Sequence, residues 1–199
     1  MNKILIASNN GHKISEIKSI LKNNPFIELF SLKDFGVKVD VIEDGNTLEE
    51  NALKKAKEIN KVFNIPTLSD DTGLFVEALN GEPGVYSARY SGENASYQDN
   101  CDKLLSRLEN IKIVKRTARF ESVICYYLTE NEYYFFKGIC DGNIIKEERG
   151  KNGFGYDPLF IPEKSNKTFA ELEDDEKNKI SHRGRSLKKF KDFSDSYFR

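Results

Sequence analysis

Apolar positions change period several times along the chain, and each change marks an element. Ile4, Leu5, Ile6 and Ala7 run without interruption and predict a buried first strand. After Ser8-Asn9-Asn10-Gly11-His12-Lys13, the residues Ile14, Ile17, Ile20 and Leu21 recur at the spacing of one helix face. Residues 27–31 predict a second strand, and residues 37–42 a short alternating one. Thr47 followed by Glu50 reads as a capping box, opening a helix over about residues 48–63 that buries Ala52, Ala56, Ile59 and Phe63. Ile65-Pro66-Thr67-Leu68 leads into Ser69-Asp70-Asp71-Thr72-Gly73, and Leu74-Phe75-Val76 leads out. That arrangement predicts a short strand that ends inside the protein and turns at Gly73.

Residues 80–92 form a long loop rich in glycine and small side chains, of the kind that walls or covers a site. A helix is expected over residues 96–108, with Tyr97, Cys101, Leu104, Leu105 and Leu108 inward. Residues 116–128 alternate as a long strand does, Glu130-Asn131 turns, and residues 133–140 return. Asp141-Gly142-Asn143 is expected to turn again into residues 144–147, completing an antiparallel meander. The aromatic residues Tyr126, Tyr127, Tyr133, Tyr134, Phe135 and Phe136 fit sheet core and subunit contact. Residues 159–161 read as a short strand, and a final helix carries Leu187, Phe190 and Phe193 inward. No internal repeat, low-complexity linker or composition break divides the chain, so residues 1–199 are expected to form a single domain.

Composition narrows the classes of partner. The chain has 31 Lys and Arg against 32 Asp and Glu, for a net charge of −1, so a bulk basic field for nucleic acid is excluded and any anion site must be a local cluster. Apolar residues make up 38 % of the sequence, enough for one core. The apolar run at residues 4–7 is too short for a signal peptide or a membrane span, and no later run reaches that length. Cys101, Cys125 and Cys140 match neither a zinc pattern nor a disulfide framework and fit reduced core thiols. A cytoplasmic location without membrane or nucleic-acid partners is the expectation.

Several stretches carry chemistry. Asp70 and Asp71 beside a hydroxyl suit a divalent-metal or general-base site, and equally a solvated turn. The strand–turn–helix at residues 8–13, with Lys13 at its end, suits an anion cradle, or an ordinary turn capped by Asn. It lacks the spacing of a P-loop. Phe154 between Gly153 and Gly155 can present a ring face to a flat heterocycle, or simply lie in a glycine-rich connection. His182 and Arg183 sit together near a helix start.

Taken together, the motifs resemble the inosine triphosphate pyrophosphatase family, from end to end of the chain. The blocks occur in order: Ser8-Asn9-Asn10 with Lys13; Glu43-Asp44-Gly45 with Thr47 and Glu50-Asn51-Ala52; Ser69-Asp70-Asp71-Thr72-Gly73-Leu74; Pro83-Gly84-Val85-Tyr86-Ser87-Ala88-Arg89-Tyr90; Gly153-Phe154-Gly155-Tyr156-Asp157-Pro158; and Ile180-Ser181-His182-Arg183-Gly184. The resemblance implies an α/β fold with a long twisted mixed sheet flanked by helices, and two lobes with the active-site cleft between them. It implies a homodimer that uses Mg²⁺ to hydrolyse non-standard purine nucleoside triphosphates (ITP, dITP, XTP) to the monophosphate and pyrophosphate. By the same resemblance Ser8, Asn10, Lys13, Lys55, Thr72 and Lys177 would hold the triphosphate. Glu43 and Asp71 would hold the metal, with Asp71 as proton acceptor and Asp70 in a supporting role. Phe154 would stack on the base, Gly155 and Tyr156 would line its pocket, and Asp157, His182 and Arg183 would read it, Arg183 and His182 at the 6-oxo group. Asn9, Gly11 and His12 fall at variable positions and are credited with backbone contacts alone. Ser8 and Thr72 exchange one hydroxyl residue for another relative to the family's usual Thr and Ser, which keeps the function of each.

Overall fold

The computed structural model describes residues 1–199. Seven strands, β1 (Asn2–Ala7), β2 (Ile27–Ser31), β3 (Thr67–Val76), β4 (Pro83–Gly84), β5 (Thr117–Thr129), β6 (Glu132–Ile144) and β7 (Phe160–Pro162), form one mixed sheet. The order is β2-β1-β3-β5-β6-β7, with β4 paired to β3. Five α-helices accompany it: α1 (Gly11–Leu21), α2 (Leu48–Phe63), α3 (Tyr97–Leu108), α4 (Asp174–Ile180) and α5 (His182–Tyr197). None of them is long and apolar enough to cross a membrane.

The chain divides into two compact units. The first comprises Met1–Asp71, Ser122–Gly138 and Arg183–Arg199. Its first strand is buried on both faces, which is why β1 reads as an unbroken apolar run. Ile4 and Ile6 pack with Ile14, Ile17 and Leu21 of α1 and with Leu187 and Phe190 of α5. Leu5 and Ala7 point the other way, onto Leu32 and Ile59. β1 pairs in parallel with β2 and with β3, in a register that sets Ala7 beside Ser69. The ends of β1 and of the first half of β3 therefore lie together, with α1 and α2 starting nearby. Ser69 Oγ donates to the Ala52 carbonyl at 2.6 Å and ties α2 to β3.

The second unit comprises Thr72–Glu121 and Ile139–His182. Its core gathers Leu74 and Val76 of β3, Cys101, Leu104 and Leu108 of α3, Phe120 of β5, and Phe160 and Phe169.

Four expectations are corrected. Residues 38–42 alternate in exposure and Val37 is exposed, yet residues 37–42 form no strand, because no neighbouring strand completes a ladder there. β3 does not turn at Gly73 but continues to Val76, pairing Leu74 with Gly84 of β4. β6 likewise runs through Asp141-Gly142-Asn143, with Gly142 and Asn143 pairing with β7 instead of turning. Tyr97 is exposed at the first position of α3, where Asn100 is buried instead.

Gly73 has a steric rather than a conformational reason: an added Cβ would lie 2.6 Å from the Gly84 carbonyl oxygen, which is backbone and cannot swing away. Gly73→Ala is therefore expected to lower the unfolding free energy by about 1–3 kcal/mol in urea titrations. Gly11→Ala, whose Cβ would meet nothing within 4 Å, should change it by less than about 1 kcal/mol.

Candidate active site

Within the first unit, β1 ends at Ala7 and the chain turns through Ser8, Asn9 and Asn10 into α1. Ser8 Oγ accepts the Asn10 N–H at 3.1 Å. Asn10 Oδ1 accepts the N–H groups of His12 and Lys13, at 3.0 and 3.3 Å, and so caps the helix. Two first-turn donors that an anion would use are thus already satisfied by the cap. The positive end of this turn is carried by Lys13. Its Nζ lies 2.9 Å from Asp70 Oδ2 and 3.4 Å from the Asp70 carbonyl oxygen. Gly11 and His12 are exposed.

Asp70 and Asp71 point to opposite faces of β3, as successive strand residues must. Their surroundings differ accordingly. Asp70 is completely buried, and every approach to it is a donor: Arg183 Nη2 at 3.0 Å, Lys13 at 2.9 Å and Ser122 Oγ at 2.7 Å. Burial opposes its charge, but Arg183 and Lys13 outweigh burial and hold the carboxyl well below the usual range. Arg183 is itself buried, and Asp70 and Glu16 overcome that burial to raise its pKa further. Its Nη1 reaches Glu16 Oε2 at 2.5 Å.

Asp71 is less well provided for. Lys55 Nζ meets its Oδ1 at 2.8 Å, while Asp71 Oδ2 is buried with no N–H or O–H donor beside it, and Glu43 is the carboxyl with which Asp71 can share a proton. Burial, against the pull of Lys55 and Lys13 and with a push from Glu43, lifts this carboxyl to about 6. Lys55 also lies 3.2 Å from Glu43 Oε2 and 2.9 Å from the Asp70 carbonyl. Burial disfavours the Lys55 charge, yet Asp71 and Glu43 outweigh it and keep the ammonium ionised. Glu43, partly exposed, is lowered on balance, Lys55 outweighing burial. Glu43 and Asp71 thus form a carboxylate pair bridged by one ammonium. No group of three or more Asp, Glu, His or Cys converges to hold a metal. Two carboxylates, one with an oxygen that no N–H or O–H donor occupies, fit a Mg²⁺ ion that draws its other ligands from phosphate and water. They do not fit a metal caged by protein alone.

Within the second unit, Gly153 (φ 73°) and Gly155 (φ 62°) take left-handed conformations that bring Phe154 out between them. The Phe154 N–H donates to Asp157 Oδ2 at 2.8 Å, and Lys177 Nζ meets the same oxygen at 2.7 Å. That ammonium also lies 4.9 Å from the centre of the Phe154 ring. Tyr156 is buried and donates to the Ser87 carbonyl at 2.9 Å. His182 stacks on Phe120, with ring centres 4.6 Å apart and planes 12° apart. Thr72 opens this unit on β3, partly buried.

Ser8, Asn10, Lys13, Lys55, Glu43 and Asp71 therefore meet in one unit, and Phe154, Asp157 and His182 in the other. Lys177, expected at the triphosphate, pairs with Asp157 in the Phe154–Asp157 cluster. Arg183, expected at the base, pairs with Asp70 and Glu16, because a fully buried Asp70 requires a counter-charge. Asp70, considered as a metal ligand, has its oxygens taken up by donors. Glu16 and Ser122 escaped the sequence reading. Glu16 follows Lys13 by one helical turn, a spacing that places both on one face, whereas nothing local singles out Ser122.

Fold and site together describe an α/β protein with a paired-carboxylate and lysine centre where β1 ends beside the middle of β3. The Ham1 family model matches residues 4–193. A dITP/XTP pyrophosphatase of Thermoanaerobacter pseudethanolicus is 50 % identical over 191 residues, covering 96 % of either chain. Another from Clostridium perfringens is 47 % identical over 198 residues, covering 96 % of this chain and 97 % of its own. The Staphylococcus aureus Ham1 protein superposes with a TM-score of 0.86 at 41 % identity, over 98 % of this chain and 100 % of its own. A HAM1 protein from Coxiella burnetii does so with 0.87 at 40 %, over 97 % and 98 %. The chain belongs to the Ham1 family, which bears out the resemblance carried by the six sequence blocks and the mixed α/β fold it implied.

The two adjacent acids carry opposite pH signatures. Asp70, held below its unfolded value, adds stability above about pH 4 that is lost on further acidification. Asp71, raised to about 6, stabilises the fold only while protonated, so its contribution is full below about pH 4 and lost as the pH rises through 6. In cation-free protein, the stability of Asp71→Asn minus that of wild type should therefore grow by about 2–3 kcal/mol between pH 4 and pH 7 in denaturant titrations. Asp70→Asn should instead cost about 3–5 kcal/mol at pH 7, because Arg183 then lacks its partner.

Proposed function

We propose that the protein hydrolyses non-standard purine nucleoside triphosphates, ITP, dITP and XTP, to the monophosphate and pyrophosphate, and so cleanses the nucleotide pool. Family membership and the names of the relatives support the reaction. The observation that carries the mechanism is Asp71, a buried carboxyl beside Lys55 and Glu43 with one oxygen that no N–H or O–H donor occupies. A carboxylate so placed can orient an attacking water and accept its proton.

In this reading Lys13 and Lys55 face the roughly four negative charges of the triphosphate, with Ser8, Asn10 and Thr72 contributing hydroxyl and amide groups beside them. Glu43 and Asp71 would hold Mg²⁺, which when bound neutralises phosphate charge and polarises the phosphorus under attack. A water oxygen attacks the α-phosphorus, the bond from that phosphorus to the bridging oxygen breaks, and pyrophosphate leaves. Asp71 takes the proton of the attacking water. Phe154 stacks on the base, Tyr156 and Gly155 shape its surroundings, and His182 reads its edge. Asp157 pairs with Lys177 and holds it at the Phe154 ring, so Lys177 is assigned here to the base and its 6-oxo or N7 acceptors. A site built to hydrogen-bond the 6-oxo group discriminates against the 6-amino group of adenine by up to roughly 10⁴. A homodimeric cytoplasmic enzyme completes the reading. The exposed rings of Tyr133 and Phe135, on the outer face of β6, support a subunit contact.

Initial rates with ITP, dITP, XTP, GTP and ATP at saturating Mg²⁺ test the function. The oxo-purine substrates ITP, dITP and XTP should turn over at least about 100-fold faster than ATP and release pyrophosphate. Equal rates, or orthophosphate as first product, would contradict it. Asp71→Asn should lower kcat by at least about 10²-fold with nucleotide binding retained. Lys177→Ala should raise KM for ITP about tenfold and leave inhibition by inorganic tripolyphosphate unchanged; weaker tripolyphosphate inhibition would return Lys177 to the phosphates.

A further inference from the structure

Glu43 lies on a segment with an unusual construction. From Lys38 to Asn46, exposure alternates residue by residue. Val39 and Val41 turn inward onto the cluster of Leu5, Leu32 and Ile59, and Glu43 is the next inward position, reaching Lys55. The segment is extended, yet it belongs to no sheet. Side chains along an extended chain repeat every second residue, so a slip of one position would turn Glu43 to solvent and bring Ile42 or Asp44 inward. In a strand the backbone ladder forbids such a slip. Here that restraint must come from elsewhere.

Glu43 is anchored on both sides, and Lys54 Nζ meets Asp44 Oδ1 at 2.6 Å directly after it. Beyond it, the Gly45 N–H donates to Asn51 Oδ1 at 2.8 Å, and an added Cβ on Gly45 would lie 2.7 Å from that oxygen. Before it, Asn9 Nδ2 donates to the Val39 carbonyl at 2.9 Å and to Asp40 Oδ1 at 3.0 Å. Asn9 belongs to the turn that also carries Ser8 and Asn10, but its side chain leaves that turn and grips the extended segment. We propose that Asn9 is a positioning residue: it fixes the register of residues 38–46 and so holds Glu43 at the Lys55–Asp71 centre. The inference rests on the reading of Glu43 as a cation ligand only for its consequence, and not for the register itself.

Asn9 is exposed, so replacing it opens no core. Amide hydrogen exchange of cation-free protein is the direct test. Asn9→Ala should speed exchange of the Gly45 and Asn46 amides, which donate to Asn51 Oδ1 and Glu50 Oε2, about tenfold, the scale of two surface hydrogen bonds, with the remaining sheet unchanged. Asp40→Ala removes one of the two bonds and should give about threefold, and the double variant should be no faster than Asn9→Ala. Mn²⁺ alone, followed by water-proton relaxation, should bind Asn9→Ala about tenfold more weakly than wild type. Unchanged exchange in Asn9→Ala overturns the proposal. Faster exchange with unchanged Mn²⁺ affinity overturns the placement of Glu43 by this contact. If the wild-type protein binds no Mn²⁺, the cation reading of Glu43 fails, and the exchange rates alone decide the role of Asn9.

Discussion

A carboxylate with no access to water has to be answered by charge, and the first unit is arranged around that demand. Asp70 sits mid-strand with no exposure of its carboxylate. Left alone it would neutralise or unfold the strand. Arg183 from the start of α5, Lys13 from the start of α1 and Ser122 from β5 converge on it. Four elements are pinned to one another by a single side chain. Such a network contributes little net stability over an apolar replacement, but losing any one member is costly. What the network supplies is placement: it fixes where the first turns of α1 and α5 stand relative to β3.

Asp71 is held in place by the same strand and treated in the opposite way. With Asp70 saturated by donors, Lys55 is the one ammonium within 4 Å of Asp71, and it is divided between Asp71 and Glu43. The carboxyl therefore keeps an oxygen open and a proton affinity raised to about 6. Alternation along a strand is what allows two neighbours in sequence to have such different surroundings. One acid organises the unit, and the other is left available for chemistry.

Much of the fold was legible because its elements are locally consistent. β1, β2, α1, α2, α3 and α5 follow from apolar period and caps, and Thr47 caps α2 as its sequence suggests. The failures share one cause. In sequence Gly73 and Gly142 look like turn formers, whereas each lies in a strand at a close backbone approach. The partner that makes a glycine necessary there is distant in sequence. Residues 37–42 show the converse, a strand-like pattern with no neighbour to pair with. At the site, the motif blocks located the residues but not their partners. Arg183 and Asp70 are 113 positions apart, and Lys177 and Asp157 are 20 apart. A charge pair formed by tertiary packing leaves no periodic trace, so the sequence could not separate an arginine that reads a base from one that neutralises a buried acid.

The division between Asp70 and Asp71 is open to direct observation. Carboxyl ¹³C chemical shifts of the two residues, in protein labelled at aspartate and freed of divalent cations, can be followed from pH 8 to pH 3 and assigned with the two Asn variants. Asp71 should titrate near 6, and Asp70 should remain ionised to the acid limit of the folded state. Two ordinary aspartates, or the reverse assignment, would contradict the account of how these adjacent acids share the labour of structure and catalysis.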